Sequence, residues 1–290
     1  MENGPIFIIG NPRSGTTLLR LILSAHPNIY IAQEGGFLLF LYEKYKNFAG
    51  EKGKILNFVE DLMQTKKIEY WDIVKEEIEN YIIKNQPKNY SELGSMVYKY
   101  YGEKKYPGKK RWGDKNNYYL NYIDTINEIY PESKFIHIIR DGRDVACSYK
   151  DMSKIKNQKY APNLPNQIIE IAENWKNNIE TINASFNKIN KNRYIEIKYE
   201  DLVQDTKSTV KELCDFLNEA YDENMLNYNK INLDREPEDY SGWKSLVKQD
   251  ITTKRIKRWE EELTSEEIEI FEKIAEKQLK KYNYELRMFK

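Results

Sequence analysis

Short, continuous apolar runs alternate along the chain with segments whose apolar residues recur at helical spacing. The runs 6–9, 29–32 and 134–139 are typical of strands that are buried on both faces of a parallel sheet. Residues 194–199 alternate apolar and polar side chains and predict a further strand. Strands of this kind are expected to form the centre of the molecule.

Segments with helical periodicity lie between these strands. Residues 16–24 carry Leu19, Ile22 and Leu23 at spacings of one and three, and Pro27 ends the predicted helix. Further helices are predicted over residues 142–151, 166–189 and 205–217, and from a capping box at Thr264 and Glu267 to about residue 282.

Strands that alternate with helices predict an α/β fold, with a central, mainly parallel sheet between two layers of helices. Residues 37–101 are mostly helical in pattern, with breaks near residues 50–53 and 86–87. No linker of biased composition separates this stretch from the rest. We therefore expect one domain over residues 1–290, with residues 37–106 as a helical insertion.

Composition narrows the possible partners. The chain has 46 Lys and Arg residues against 46 Asp and Glu residues, so its net charge is zero. Such a balance offers no global attraction to nucleic acid or to acidic membranes, and we expect neither as a partner. Its two cysteines, Cys147 and Cys214, and the absence of a long apolar run favour a cytoplasmic location.

The strongest chemical signal is the loop at residues 10–17, of sequence GNPRSGTT, between the first strand and the first helix. Such a loop directs backbone N–H groups and the positive end of a helix dipole at a bound anion. Its spacing is that of a P-loop, but Thr16 replaces the lysine that nucleotide hydrolases need. The candidate anion-binding residues of the loop are Arg13, Ser14, Gly15, Thr16 and Thr17.

A second candidate anion site follows the strand at 134–139. Arg140 lies at the carboxyl end of that strand, where open α/β sheets bind ligands, and Ser148 lies on the next helix. The planar guanidinium of arginine offers several donors to a phosphate group. A surface cluster of salt bridges is the alternative interpretation, and Arg143 and Asp144 are compatible with it.

Residues 12–20, followed by Ala25, His26 and Pro27, resemble the 5′-phosphosulfate loop of sulfotransferases that use 3′-phosphoadenosine 5′-phosphosulfate (PAPS). They are most similar to the tyrosylprotein sulfotransferase branch. The resemblance implies a P-loop-like fold, PAPS as co-substrate, a hydroxyl-bearing acceptor and no metal. It also implies that Arg140 and Ser148 hold the 3′ phosphate of PAPS.

The same resemblance implies catalytic roles. Glu34 matches the position of a glutamate base, which would take the proton of the acceptor hydroxyl. Lys115, together with Arg13, would stabilise charge on the leaving phosphate. Tyr199 would lie near the adenine and the 3′ phosphate. An ion-paired acid, a surface lysine and a packed tyrosine are the respective alternatives.

The basic segment at residues 242–259 resembles the part of the family that closes the donor site. It makes Ser245 a candidate for contact with the sulfonate, with Thr252 or Thr253 as replacements, and Arg258 a candidate for the donor phosphates. A basic surface loop is the alternative. One departure from the tyrosylprotein branch is Met152, which stands where that branch has a further arginine.

Two other functions stay open at this point: a P-loop-type nucleotide kinase or NTPase, and a nucleotide-binding module without activity. The acceptor is open as well, between a peptide tyrosine, a carbohydrate hydroxyl and a small alcohol or phenol. We expect the insertion at residues 37–106 to line the acceptor pocket. Its aromatic residues either stack on the acceptor or belong to the core: Phe37, Phe40, Tyr42 and Tyr45.

Overall fold

A computed structural model describes residues 4–154, 159–160, 162–231 and 250–287. Ser245 and the rest of the predicted segment before residue 250 lie outside the described residues. Among the helices that the described ranges contain, none is long and apolar enough to cross a bilayer.

A five-stranded parallel sheet forms the centre of the molecule, in the order β2-β3-β1-β4-β5. Its strands are β1 (Ile6–Ile9), β2 (Ile29–Ala32), β3 (Arg111–Lys115), β4 (Lys134–Ile139) and β5 (Tyr194–Lys198). The prediction of a parallel α/β fold is confirmed. Strands β1, β2 and β4 match the apolar runs of the sequence, and β5 matches the alternating segment, whereas β3 matches neither pattern.

Strand β3 is polar in sequence and yet fully buried. It lies between β2 and β1, and its charged side chains are paired inside the protein. Arg111 forms an ion pair with Glu219 at 3.1 Å. Asp114 accepts hydrogen bonds from the hydroxyls of Tyr98 at 2.6 Å and Tyr119 at 2.5 Å. Because buried charges need such partners, β3 depends on contacts with distant segments, which its own sequence pattern does not contain.

The two faces of the sheet pack against different helices. Ile6 and Ile8 of β1 face a core with the first helix and the helix over 206–217. Phe7 and Ile9 face a second core with the insertion. The helices are α1 (Thr16–Ser24), α2 (Phe37–Phe40), α3 (Tyr42–Tyr45), α4 (Lys52–Met63), α5 (Lys75–Asn85), α6 (Tyr90–Lys105), α7 (Ile123–Ile129), α8 (Gly142–Ser153), α9 (Ile168–Phe186), α10 (Tyr199–Gln204), α11 (Thr206–Leu217), α12 (Tyr228–Ile231), α13 (Trp259–Glu262) and α14 (Ser265–Lys281).

The predicted helices agree closely with these bounds, and the capping box at the start of α14 is present. In the insertion, Phe37 and Tyr45 belong to the core, and Tyr42 packs against it. Phe40 is 53% exposed. A cavity opens beside the loop at residues 10–17, the anion loop, and Lys67 is the residue of the insertion that lines it within the described ranges. The prediction that the insertion lines an acceptor pocket therefore depends on Lys67.

Candidate active site

The loop after β1 turns sharply into α1. Arg13 and Gly15 both have positive φ angles, of 70° and 95°. A side chain at Gly15 would place its Cβ 2.5 Å from the ring of Tyr199, so that position requires glycine. The loop therefore brings its backbone and the N-terminus of α1 close to the end of β5.

The side chain of Asn11 anchors the loop to helices α8 and α9. The Asn11 side-chain nitrogen donates to the hydroxyl of Tyr149 at 3.1 Å, and the side-chain oxygen Oδ1 accepts from the side-chain amide of Asn178 at 2.6 Å. Ser14 N–H donates to the Asn11 carbonyl at 3.2 Å, and the Ser14 side chain is fully buried. The hydroxyl of Ser14 thus packs inside the loop, and its side chain does not line the cavity.

A cavity of about 340 Å³ opens beside this loop at the carboxyl ends of the strands. It brings together most of the residues that the sequence predicts for the site. Those that line it are Arg13, Gly15, Thr16, Thr17, Glu34, Lys115, Arg140, Ser148 and Tyr199, with Thr252 from the basic segment.

One side of the cavity is strongly cationic. The Arg13 Nε donates to Ser148 Oγ at 3.0 Å, and the Arg140 Nη1 donates to the Arg13 carbonyl at 3.2 Å. The Arg140 guanidinium lies over the Tyr199 ring, 4.8 Å from its centroid. Burial, with the nearby charges of Arg140 and Arg255, lowers the pKa of Arg13 to about 10. An anion bound here would relieve that repulsion.

The basic segment contributes Arg255 to the cavity, a residue that is not among the candidates predicted from the sequence. Arg140 donates to the Arg255 carbonyl, and Arg255 lines the cavity. Arg258, the predicted contact, instead pairs with Asp151 at 2.7 Å and with Glu262 at 2.7 Å. It does not line the cavity. Two residues separate the two arginines, and the unusual backbone of one of them, Lys257 with φ of 60°, turns the chain between them.

The opposite side of the cavity carries a carboxylate between two lysines. Glu34 follows β2, and Lys115 ends β3, so parallel pairing places both at the same edge of the sheet. Lys115 contacts Glu34 Oε1, and Lys67 contacts Glu34 Oε2. Glu34 is therefore an ion-paired acid that also lines the cavity. Lys67 is a second cavity residue that was not predicted, because nothing in its local sequence pattern distinguishes it from other lysines.

The two histidines are occupied elsewhere. His26 Nε2 lies 2.8 Å from the carbonyl oxygen of Ala220, and the buried His137 lies 3.0 Å from Glu196. Neither histidine lines the cavity. Within the described ranges, no group of three or more His, Cys, Asp and Glu side chains is arranged to hold a metal ion.

A family model described as "Sulfotransferase family" matches residues 5–223, which is more than half of the 290-residue chain. The chain belongs to the sulfotransferase family. The match contains the loop after β1, Glu34, Lys115 and the Arg140 motif. It ends before the basic segment that carries Arg255.

Several sulfotransferases resemble the chain over most of its length. A relative from Caenorhabditis briggsae is 28% identical over 88% of this chain and 80% of its own length. The protein-tyrosine sulfotransferase of Drosophila melanogaster is 24% identical over 78% of this chain and 40% of its own length. The chain thus spans less than half of the Drosophila protein, and 34% of a relative from Aquifex aeolicus.

Solved structures agree with the fold. The sulfotransferase domain from the curacin biosynthetic pathway has a TM-score of 0.62 and 20% identity, with 98% of each chain covered. A mouse sulfotransferase complexed with PAP has a TM-score of 0.52 and 15% identity, over 98% of this chain and 86% of that one. At these identities the agreement establishes a sulfotransferase fold.

Proposed function

We propose that this member of the sulfotransferase family transfers a sulfonate from PAPS to a hydroxyl-bearing acceptor. The observation that carries the proposal is one cavity with a cationic side for the donor and a glutamate–lysine ion pair opposite. Arg13, Arg140 and Arg255 supply the cationic side, and Glu34 with Lys115 supplies the pair.

The cavity suits a donor with two separate phosphate positions. The loop at residues 10–17 would hold the 5′ phosphosulfate through its N–H groups, Thr16 and Thr17. Arg140 and Ser148 would hold the 3′ phosphate. The Arg140 Nε is buried and has no hydrogen-bond partner among the described residues, so its guanidinium retains a donor for an anion. PAP, the nucleotide in the mouse complex, carries one phosphate at each of these two positions, 5′ and 3′.

The proposed transfer is a single in-line step. The acceptor oxygen forms a bond to sulfur, and the bond between sulfur and the bridging phosphate oxygen breaks, with its electron pair staying on the phosphate. Glu34 receives the proton of the acceptor hydroxyl. Lys115 and Arg13 stabilise the negative charge that develops on the leaving group, a role that a metal ion has in kinases.

The rival functions have less support. The P-loop lysine is absent, and Thr16 at that position donates to the side-chain oxygen of Asn117 at 3.1 Å. ATP hydrolysis would lack the cation that bridges the β- and γ-phosphates. A binding module without activity would have no use for a carboxylate held at the cavity by Lys115 and Lys67.

The proposed acceptor is a class of molecules that carry a hydroxyl group. Peptide tyrosine is one member of it, because several relatives are named protein-tyrosine sulfotransferases. A carbohydrate hydroxyl or a small alcohol or phenol would meet the same chemical requirement. A cytoplasmic location is also a proposal, and it is supported by the unpaired, buried Cys147 and Cys214.

Thermal unfolding in the presence of adenosine 3′,5′-bisphosphate (PAP) tests the donor site directly. Millimolar PAP should raise the unfolding temperature by several degrees, whereas ATP with Mg²⁺ should leave it nearly unchanged. The opposite ranking would support a kinase or NTPase. A screen of phenols, sugars and tyrosine peptides with ³⁵S-labelled PAPS then identifies the acceptor, and the absence of any transfer despite PAP binding would support a binding module.

A further inference from the structure

The Glu34 carboxylate has a second cationic partner in addition to Lys115. Lys67 contacts Oε2 of Glu34, while Lys115 contacts Oε1. Lys115 belongs to the sheet, at the end of β3, whereas Lys67 belongs to the helical insertion. The carboxylate is therefore held from two independent parts of the fold, and both lysines line the cavity.

The turn that carries Lys67 is packed firmly against the Glu34 segment. Lys67 has a φ of 70° and precedes a 3₁₀ turn over Ile68–Trp71. The Trp71 ring is buried beneath Gly35, where an added Cβ would lie only 2.9 Å from the ring. Trp71 also packs edge-on against Phe37, with ring centroids 5.7 Å apart. Backbone packing and the ion pair thus fix the same short segment.

Lys115 has two partners in the proposed function, Glu34 and the leaving phosphate. Its ammonium group carries three N–H donors, so a bound donor phosphate would share Lys115 with Oε1 of Glu34 and weaken its hold on that oxygen. Without a second cation, the carboxylate would then be easier to protonate and freer to rotate. Lys67 is placed to remain on Oε2 throughout.

We propose that Lys67 is a positioning residue for Glu34, which holds the carboxylate ionised and oriented through Oε2 while Oε1 receives the acceptor proton. This inference rests on the proposed function for the role of Glu34. Other groups around the carboxylate are Lys115, on the Oε1 side, and Asp114, whose own pKa is raised mainly by burial and to a lesser extent by Glu34. The ring of Tyr160 lies 5.7 Å from the Lys67 ammonium.

An NMR titration tests this without any acceptor. Protein labelled with ¹³C at the glutamate side-chain carboxyl is titrated, and the Glu34 signal is assigned by its loss in Glu34→Gln. In Lys67→Met the midpoint of the Glu34 titration should rise by about one pH unit or more, because an adjacent opposite charge lowers a carboxylate pKa by that amount. Lys67→Arg should retain most of the wild-type midpoint.

Lys75→Met is the matched control, since it removes another lysine–glutamate pair of the insertion, with Glu60, that does not line the cavity. It should leave the Glu34 midpoint unchanged. An unchanged midpoint in Lys67→Met, in a variant that unfolds at the wild-type temperature, would overturn the inference. If Lys67→Met proves unstable, the midpoint in Lys67→Gln decides in the same way.

PAP binding separates this inference from the proposed function. Lys67→Met should bind PAP within about twofold of wild type, because the donor phosphates are assigned to the arginine side of the cavity. A wild-type protein that does not bind PAP would contradict the proposed function and leave the Glu34 titration intact. A shifted Glu34 midpoint with normal PAP binding supports both, and in an acceptor assay kcat should fall about tenfold with little change in the KM for PAPS.

Discussion

Arg13 Nε donates a hydrogen bond of 3.0 Å to Ser148 Oγ, across 135 positions of the chain. This contact joins the loop after β1 to helix α8, which follows the neighbouring strand β4. The two motifs that we propose to bind phosphates therefore form one continuous surface. Under this proposal, a nucleotide with phosphates at both its 5′ and 3′ positions contacts both motifs at once, whereas one without the 3′ phosphate contacts only the loop.

Arg140→Ala should separate the two phosphate positions. PAP carries a 3′ phosphate and AMP does not, so the variant should lose about 10- to 100-fold in affinity for PAP, as expected for a charge-assisted hydrogen bond. Its affinity for AMP should change by less than threefold. Isothermal titration calorimetry with both nucleotides measures the ratio. Equal losses for PAP and AMP would mean that Arg140 does not contact the 3′ phosphate.

Arg255→Ala and Arg258→Ala form a second, internally controlled test. Arg255 lines the cavity, whereas Arg258 is engaged by Asp151 and Glu262 outside it. We expect Arg255→Ala to weaken PAP binding about tenfold and to reduce its salt dependence. Arg258→Ala should change PAP affinity by less than twofold and lower the unfolding temperature slightly. The reverse ranking would restore the role that the sequence predicts for Arg258.

Glu34→Gln tests the acid–base assignment. The amide keeps the size of the side chain and cannot take a proton, so kcat should fall by a factor of about 100 or more. PAP affinity should remain within about threefold of wild type, since Glu34 is assigned to the acceptor. Single-turnover transfer from ³⁵S-labelled PAPS measures the first quantity, and calorimetry the second. Substantial retained turnover would remove Glu34 from the role of the base.

The fold was predictable wherever one local pattern determines one element. Strand β1, helix α1 and the capping box of α14 each contain their own signals. Strand β3 has none, because Arg111 is paired by Glu219, more than 100 positions away, and Asp114 by Tyr98 and Tyr119, which belong to segments before and after the strand. A central strand with polar residues has a sequence pattern typical of a loop, and only the contacts of those residues in the folded protein identify it as a strand.

The candidate site divides in the same way. The anion loop and Arg140 follow strands directly, so their positions at the sheet edge could be derived from sequence. Lys67 could not, since it reaches Glu34 only through the packing of the insertion. Which of Arg255 and Arg258 reaches the cavity depends on the positive φ of Lys257. That φ could not be predicted, because lysine rarely adopts it.

Asp114 provides a test of the buried polar strand through pH. It is fully buried beside Lys115, and burial raises its pKa to about 7 despite hydrogen bonds from Tyr119 and Tyr98. In the unfolded chain its pKa is near 4. Between these values the folded protein keeps a proton that the unfolded chain has lost, so Asp114 makes the free energy of unfolding fall as pH rises. Above about pH 7 its stabilising proton is gone.

Asp114→Asn removes this titration and keeps an oxygen that can accept from both tyrosines. Urea unfolding of both proteins at pH 5, 6, 7 and 8 should give a difference that changes by up to roughly 1.4 kcal/mol per pH unit up to pH 7, with the variant gaining relative to wild type. Other titrating groups are common to both proteins and largely cancel. Tyr98→Phe should extend the pH-dependent window upwards, because it removes a donor that favours the carboxylate. Parallel stability curves for wild type and Asp114→Asn would mean that Asp114 has no raised pKa.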